Sequence, residues 1–438
     1  MSKKISLLEA IAMAVGTMIG ASIFSIFGVG AKIAGHNLPE AFILSGIFAF
    51  LVAYSYSKLG AKIVSNAGPI AFILKGIGDN VFTGALAILM WLSYVVSIAL
   101  FAKGFSGYFL PLAHIPITPF TFGLVEVLLI AFFTALNFFG SKAVGKVEFY
   151  IVLIKLSILG VFILLGMLTI HGSYIVPSFD HRGIKGILNA AIIFFLSYMG
   201  FGLVTNASEN MENPRKNVPL AIYISIAVVM LVYVSVALVA IGNLTIPQLI
   251  KAQDNALAVA AKPFLGSFGF ILISVGALFS ISSALNATIY GGANISYSLA
   301  KDGELPKIFE RKVWFKSTEG LYFTALLGLF FALFFNIGEI ATITSGIFTM
   351  IYIFVLISHI RLINKQSVEG CKYFVGFNIL ILSAVFLALL YYQWNTQRSA
   401  FFGLLGTLAG AVLLESAYRN ISSRKFKRIK EFKEKPQA

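Results

Sequence analysis

The sequence predicts an all-α membrane protein of twelve transmembrane helices. Three observations carry that prediction: an excess of apolar residues, twelve long apolar runs joined by short polar segments, and a bias of Lys and Arg to one side. Of 438 residues, 58% are hydrophobic and 12% are charged, and the mean hydropathy is +0.90. A soluble domain is about half apolar and about a quarter charged, so this chain lacks the polar residues to cover a solvated surface. Its 42 Phe and 17 Tyr suit helix interiors and membrane interfaces. The net charge of +15 does not point to nucleic acid, because the basic residues fall in short loops and in the tail.

A spanning helix needs about 20 apolar residues. The runs that qualify are 7–34, 38–58, 81–110, 119–139, 147–170, 185–205, 218–242, 265–299, 320–337, 339–360, 373–394 and 399–418. The start "MSKK" before a long run reads as a retained first span, since the run is too long for a leader and no small-residue cleavage site ends it. With the N-terminus inside, 25 of the 33 Lys and Arg fall on the inner side, 7 on the outer side, and Lys155 within a span. The positive-inside rule then places both termini in the cytoplasm of a multi-pass cell-membrane protein. The tail "RNISSRKFKRIKEFKEK" reads as a basic segment facing lipid headgroups.

Several function classes drop out. The single cysteine, Cys371, allows no internal disulfide and no cysteine-based metal site. No Walker A motif exists to drive transport with ATP. Four of the five histidines fall in outside loops and His359 lies at a helix end. No enzyme, cofactor or metal is expected, and the chain is expected as a monomer or weak oligomer in the bilayer.

The first run contains "MAVGTMIGASIF", residues 13–24, with glycines at 16 and 20. Small residues four apart also serve close helix packing. The sixth run reads "AIIFFLSYMGFGLVTNASENMENPRKNVP" and carries Gly200 and Gly202 near mid-span. Paired interruptions five spans apart point to a transporter site between two inverted repeats. Unwinding frees N–H groups at Gly20, Ala21, Ser22 and Ile23, backed by the positive end of a helix dipole, where a carboxylate fits. It also frees carbonyls at Thr17 and Met18, and at Leu196 and Met199 in the sixth helix, which attract an ammonium group. Donors and acceptors this close suit a zwitterion such as an α-amino acid. Unpaired backbone at this depth is tolerated only where it lines a cavity.

"GTMIGASIF", "YMGFGLVTNASENMENPRKNVP" and "YSLAKDGELP" (297–306) resemble the helix-one, helix-six and post-helix-eight patterns of the amino acid–polyamine–organocation (APC) superfamily, most closely its proton-coupled members. The resemblance implies a LeuT-type five-plus-five inverted repeat with discontinuous helices 1 and 6. Residues 1–170 would form the first repeat, 171–362 the second, and 363–438 helices 11 and 12 with the tail. One departure stands out: many members carry a glutamate directly after the Gly-Phe of helix six, where this chain has Gly202.

Lys155, in "FYIVLIKLSILGVFILLG", lies about 20 Å along the helix from Lys142. It is too deep to snorkel, and a charge at mid-bilayer costs roughly 2.5–3.5 kcal/mol. A desolvated amine can gain and lose a proton during a functional cycle. In sodium-coupled relatives of the implied fold a cation sits between helices one, five and eight. The resemblance places the Lys155 ammonium there, against Gly16 and the Ser280, Ser282, Ser283 group, as the proton-coupling site. Side-chain specificity is expected from Phe194, Phe195, Leu196, Ser197, Tyr198 and Phe201, with Tyr94 and Ser97 of helix three. None is acidic, which favours a neutral substrate. The resulting expectation is sodium-independent proton symport of neutral L-amino acids with broad specificity; an amino acid exchanger and an amino acid sensor are the alternatives.

Overall fold

Every one of the twelve apolar runs becomes helix in the computed structural model, which describes residues 4–65, 67–138, 144–301, 305, 307–311 and 319–422. Span 1 comprises α1 (Leu7–Ser25) and α2 (Phe27–Ala34), span 2 is α3 (Leu38–Lys62), and α4 (Pro69–Ile77) lies in the connection. Span 3 is α5 (Val81–Leu112), span 4 α6 (Pro119–Phe138) and span 5 α7 (Val144–Met167). Span 6 joins α8 (His181–Phe194), a 3₁₀ segment (Phe195–Gly202) and α9 (Leu203–Asn206). Span 7 is α10 (Pro214–Asn243), followed by the short α11 (Ile246–Ala252) and α12 (Ala256–Ala260). Spans 8 to 12 are α13 (Lys262–Lys301), α14 (Glu319–Phe334), α15 (Ile337–Asn364), α16 (Lys372–Thr396) and α17 (Arg398–Ser422). Eleven described segments are long and apolar enough to cross a bilayer, and the 16-residue α14 is the shorter twelfth.

Local chemistry explains where these helices start and bend. A capping box opens α1: Ser6 N–H and Oγ–H donate to Glu9 Oε2, and Glu9 N–H donates back to Ser6 Oγ. Glu9 is therefore structural, as its place in the first turn predicts. The segment before α1 is strapped to the loop after span 6 by Ile5 N–H to Asn210 O and Glu212 N–H to Ile5 O, at 2.8 and 2.9 Å. The long α13 bends at Gly266, whose φ of +60° suits a residue without Cβ.

The inner spans 1, 2, 3, 6, 7, 8 and 10 supply most of the buried residues. Spans 4, 5, 11 and 12 turn large apolar side chains outward, among them Leu128, Phe132, Leu164, Leu387 and Leu413. Such faces need a lipid solvent. The sequence reading missed α4, α11 and α12, because their apolar stretches are too short to span and sit inside loops. The basic tail beyond residue 422 and part of the 297–306 motif lie outside the described residues.

Candidate substrate and proton site

Both first and sixth spans are interrupted, in different ways. Span 1 is helical through Gly16–Gly20 and breaks at Ile26, between α1 and α2. Gly20, Ala21, Ser22 and Ile23 thus lie inside α1 in this conformation, and the side chains of Ala21 and Ser22 are outside the described set. Span 6 breaks where the glycines predict, but by tightening into an eight-residue 3₁₀ segment and not by unwinding. Runs beyond three or four residues are uncommon for this conformation and often mark a functional hinge.

The tightening decides which residues face where. At three residues per turn, side chains at i and i+3 eclipse. One stripe, Leu196, Met199 and Gly202, faces a cavity of about 1220 Å³, which Gly16, Thr17 and Met18 of α1 also line. A second stripe, Phe195, Tyr198 and Phe201, is fully buried in protein. Phe195 packs edge-on against Phe48, and Phe201 stacks on Tyr352 at 5.8 Å. Tyr198 donates its hydroxyl to Phe42 O at 2.9 Å. Phe195, Ser197, Tyr198 and Phe201 are therefore absent from the cavity wall, although all four were expected there, because a run of neighbouring residues turns only one face to the cavity. Phe194 also turns away and stacks on Phe42 at 3.9 Å. Tyr94 and Ser97 of α5 do line the cavity, joined by Ala284 and Thr288 of α13.

The cavity runs from Lys4 and Glu9, at the start of α1, to the level of Met18. Beyond it Ile19, Ile23 and Phe24 are buried, and Tyr108 of α5 donates to Phe24 O at 3.1 Å. The molecule is open at the end where α1 begins and packed at the other. Gly200 meets α1 directly: a Cβ there would come within 2.8 Å of Met18 Cγ and 2.9 Å of Met18 N.

Lys155 of α7 is 2% exposed, and its Nζ donates to Gly16 O at 2.6 Å. One turn on, Ser280 of α13 donates its hydroxyl to Gly20 O at 2.8 Å. Gly20 and Lys155 are also neighbours, since a Cβ on Gly20 would lie 3.9 Å from Nζ. The structure thus brings Lys155, Gly16, Gly20 and Ser280 together, with Ser283 half-buried on the same helix as Ser280. Glu126 of α6, a buried carboxylate within a span, pairs with Lys103 at 3.0 Å.

One residue escaped the sequence reading. Tyr233 of α10 is fully buried, and its hydroxyl reaches both Met18 O and Ser197 O. The available signal was a phenol in the middle of an apolar span, far from the interfacial aromatic belts.

Comparison with known proteins places this architecture. The amino acid permease family profile matches residues 5–407. The chain is 66% identical over 425 residues to the uncharacterized protein MJ0609 of Methanocaldococcus jannaschii, covering 97% of each. It is 31% identical to the inner membrane transport protein YbaT of Escherichia coli, covering 93% of this chain and 94% of that one. It is 29% identical to the methylthioribose transporter of Bacillus subtilis, covering 82% and 81%. Broken spans around a central cavity and a profile match over nearly the whole chain agree: this is a membrane transporter, not an enzyme, and the chain belongs to the amino acid permease family of the APC superfamily.

Proposed function

We propose that the protein is a sodium-independent proton symporter of neutral L-amino acids, with Lys155 as its proton site. The observation that carries the reading is the buried Lys155 ammonium on Gly16 O, beside the cavity wall. A fixed positive charge bonded to α1 stabilises one placement of that helix. Loss of the proton removes both the charge and a donor from a site with little water. Exchange of the proton then biases α1 between arrangements.

The substrate would sit where α1 meets the 3₁₀ segment. Its ammonium would be held by carbonyls among Thr17, Met18, Leu196 and Met199, and its carboxylate by N–H groups of Gly20, Ala21, Ser22 and Ile23. The latter requires α1 to open after Met18 when substrate is held. Among the described lining residues Glu9 is the only carboxylate, and it is committed to the capping box at the mouth. That supports a substrate without a cationic side chain. Residues 1–170 and 171–362 act as the two inverted halves. The inner bias of Lys and Arg supports the open end facing the cytoplasm.

Uptake of radiolabelled alanine into proteoliposomes tests the reading. An inward proton gradient in sodium-free buffer should drive accumulation above equilibrium. Accumulation that needs sodium, or uptake that occurs only against internal amino acid, rejects proton symport. Uptake of methylthioribose in place of any amino acid would reject the substrate class.

A further inference from the structure

We propose that Asp254 is a proton-operated latch: the turn that carries it closes the end opposite the cavity when its carboxyl is protonated, and opens more readily when that carboxyl is charged. The latch rests on the transport reading above, which requires this end to open to admit substrate, and it is separate from Lys155.

The turn Gln253–Asn255, between α11 and α12, is seated on α1, α2 and α5. Two glycines make the seat. A Cβ on Gly28 of α2 would overlap Gln253 O, and one on Gly107 of α5 would overlap Asp254 Cβ. The turn therefore approaches both helices more closely than a side chain at either position would allow. Around this seat the packing is dense. Tyr108 donates to Phe24 O, and Ser25 is fully buried against Gly104.

Charge decides what closure costs. The groups that face Asp254 are Lys103 and Tyr108 of α5 and Glu126 of α6. Lys32 of α2 and Lys251 of α11 are exposed, and neither α12 nor the end of α1 brings a titratable side chain. Lys103 is bonded to Glu126 at 3.0 Å. One cation thus stands against two carboxylates, and among the described residues no ion pair holds Asp254. Burial pushes Asp254 up to about 6 from an ordinary value of 3.8, with Lys103 opposing. When the turn lifts, Asp254 returns to water and to its ordinary range, while Lys103 and Glu126 keep each other. Seating a charged Asp254 therefore costs more than seating a neutral one, and closure takes up a proton. The proton comes from the medium on that side and returns to it on opening. The latch thus carries no proton across the membrane. It makes entry sensitive to pH on that side, with acid holding this end shut and the cavity open.

The test is the rate at which an impermeant thiol reagent, added outside proteoliposomes, labels Ser25→Cys. Cys371→Ser removes the single native cysteine. Comparing Asp254 with Asp254→Asn at each pH cancels the ionisation of the thiol and of Lys155. The Asp254 protein should label on the order of a hundredfold faster than Asp254→Asn at pH 7.5, and about tenfold faster at pH 5. A ratio near one, or a ratio that does not change with pH, overturns the latch. Hydrogen exchange of the 246–260 peptide needs no cysteine and keeps the test open if Ser25→Cys does not fold. Exchange should be faster with Asp254 than with Asp254→Asn, by a margin that narrows at pH 5; equal exchange overturns the latch. A protein that labels in these ratios but accumulates no amino acid leaves the latch standing and overturns the transport reading. A cysteine that never labels in the folded Asp254 protein overturns both.

Discussion

Gly200 and Gly202 stand two residues apart in the 3₁₀ segment, yet their surroundings differ. A Cβ on Gly200 would overlap the backbone nitrogen of Met18, whereas on Gly202 it would meet Tyr56 Cε1 at an ordinary 3.6 Å. Gly200→Ala must push α1 away from span 6, and uptake should fall at least about tenfold, since a displacement of about 1 Å near a binding site costs about that much or more. Gly202→Ala should retain wild-type uptake. Initial rates in proteoliposomes at matched protein content distinguish the two; equal loss at both positions would contradict the close approach. At this scale the sequence was legible where chemistry is rare. A lysine in an apolar run announces itself by cost, and Lys155 is bonded to Gly16, the partner that the family resemblance implied. Tyr233 does not, because a buried tyrosine is common and its partners are backbone atoms that no sequence pattern marks.

Among elements, α1 is both buried and tied to four other spans by side-chain hydrogen bonds. Lys155 of span 5, Tyr233 of span 7, Ser280 of span 8 and Tyr108 of span 3 donate to the carbonyls of residues 16, 18, 20 and 24. Only the first of these donors carries a charge. The sixth span is tied without charge, for example by Ser345 of α15, which donates to Ile192 O at 2.7 Å. On the proposed mechanism, α1 is therefore the helix a proton addresses. The interruption of span 6 was readable from Gly200 and Gly202, but that of span 1 was not, since Gly16 and Gly20 lie inside α1 and the helix breaks at Ile26. The form of the span-6 break was not readable either: at three residues per turn Phe195, Tyr198 and Phe201 share one buried stripe, and Ser197 is buried beside it. Elsewhere, Arg419 near the end of α17 pairs with Glu415, which is fully buried, and with Asp79 before α5. Removing the guanidinium takes an ion-pair partner away from a buried carboxylate, at a cost of about 3 kcal/mol. Arg419→Ala should lower the apparent melting temperature in detergent by roughly 5 °C or more, while Arg311→Ala, whose partner Glu319 pairs with it at an exposed site, should change it little. A melting temperature unchanged in Arg419→Ala would show that this cluster does not tie span 12 to span 3.

Over the whole molecule, the end opposite the cavity is closed partly by the connection between spans 7 and 8. Asp254 in that connection is pushed up to about 6 from an ordinary value of 3.8, because burial disfavours its charge more than Lys103 restores it. A carboxyl raised in the folded state stabilises the fold when protonated. That contribution is complete below about pH 4 and is lost as pH rises through about 6. Asp254→Asn should therefore raise the melting temperature at pH 7.5, by about 3 kcal/mol of stability, and leave it nearly unchanged at about pH 3.5. Thermal melts at both pH values check this; a variant less stable at pH 7.5 would contradict it. The twelve-span layout was legible because length and apolarity are properties of the chain alone. Which end is open depends on contacts between distant segments.

The central claim is that Lys155 couples proton movement to α1. The most direct measurement is amino-acid-dependent proton flux in sodium-free proteoliposomes, read as alkalinisation of the outer medium on adding alanine, with alanine counterflow recorded on the same vesicles. Wild type should alkalinise the medium and exchange alanine. Lys155→Ala should exchange alanine but move no protons. Alanine-dependent alkalinisation by Lys155→Ala at the wild-type ratio of protons to alanine would contradict the claim.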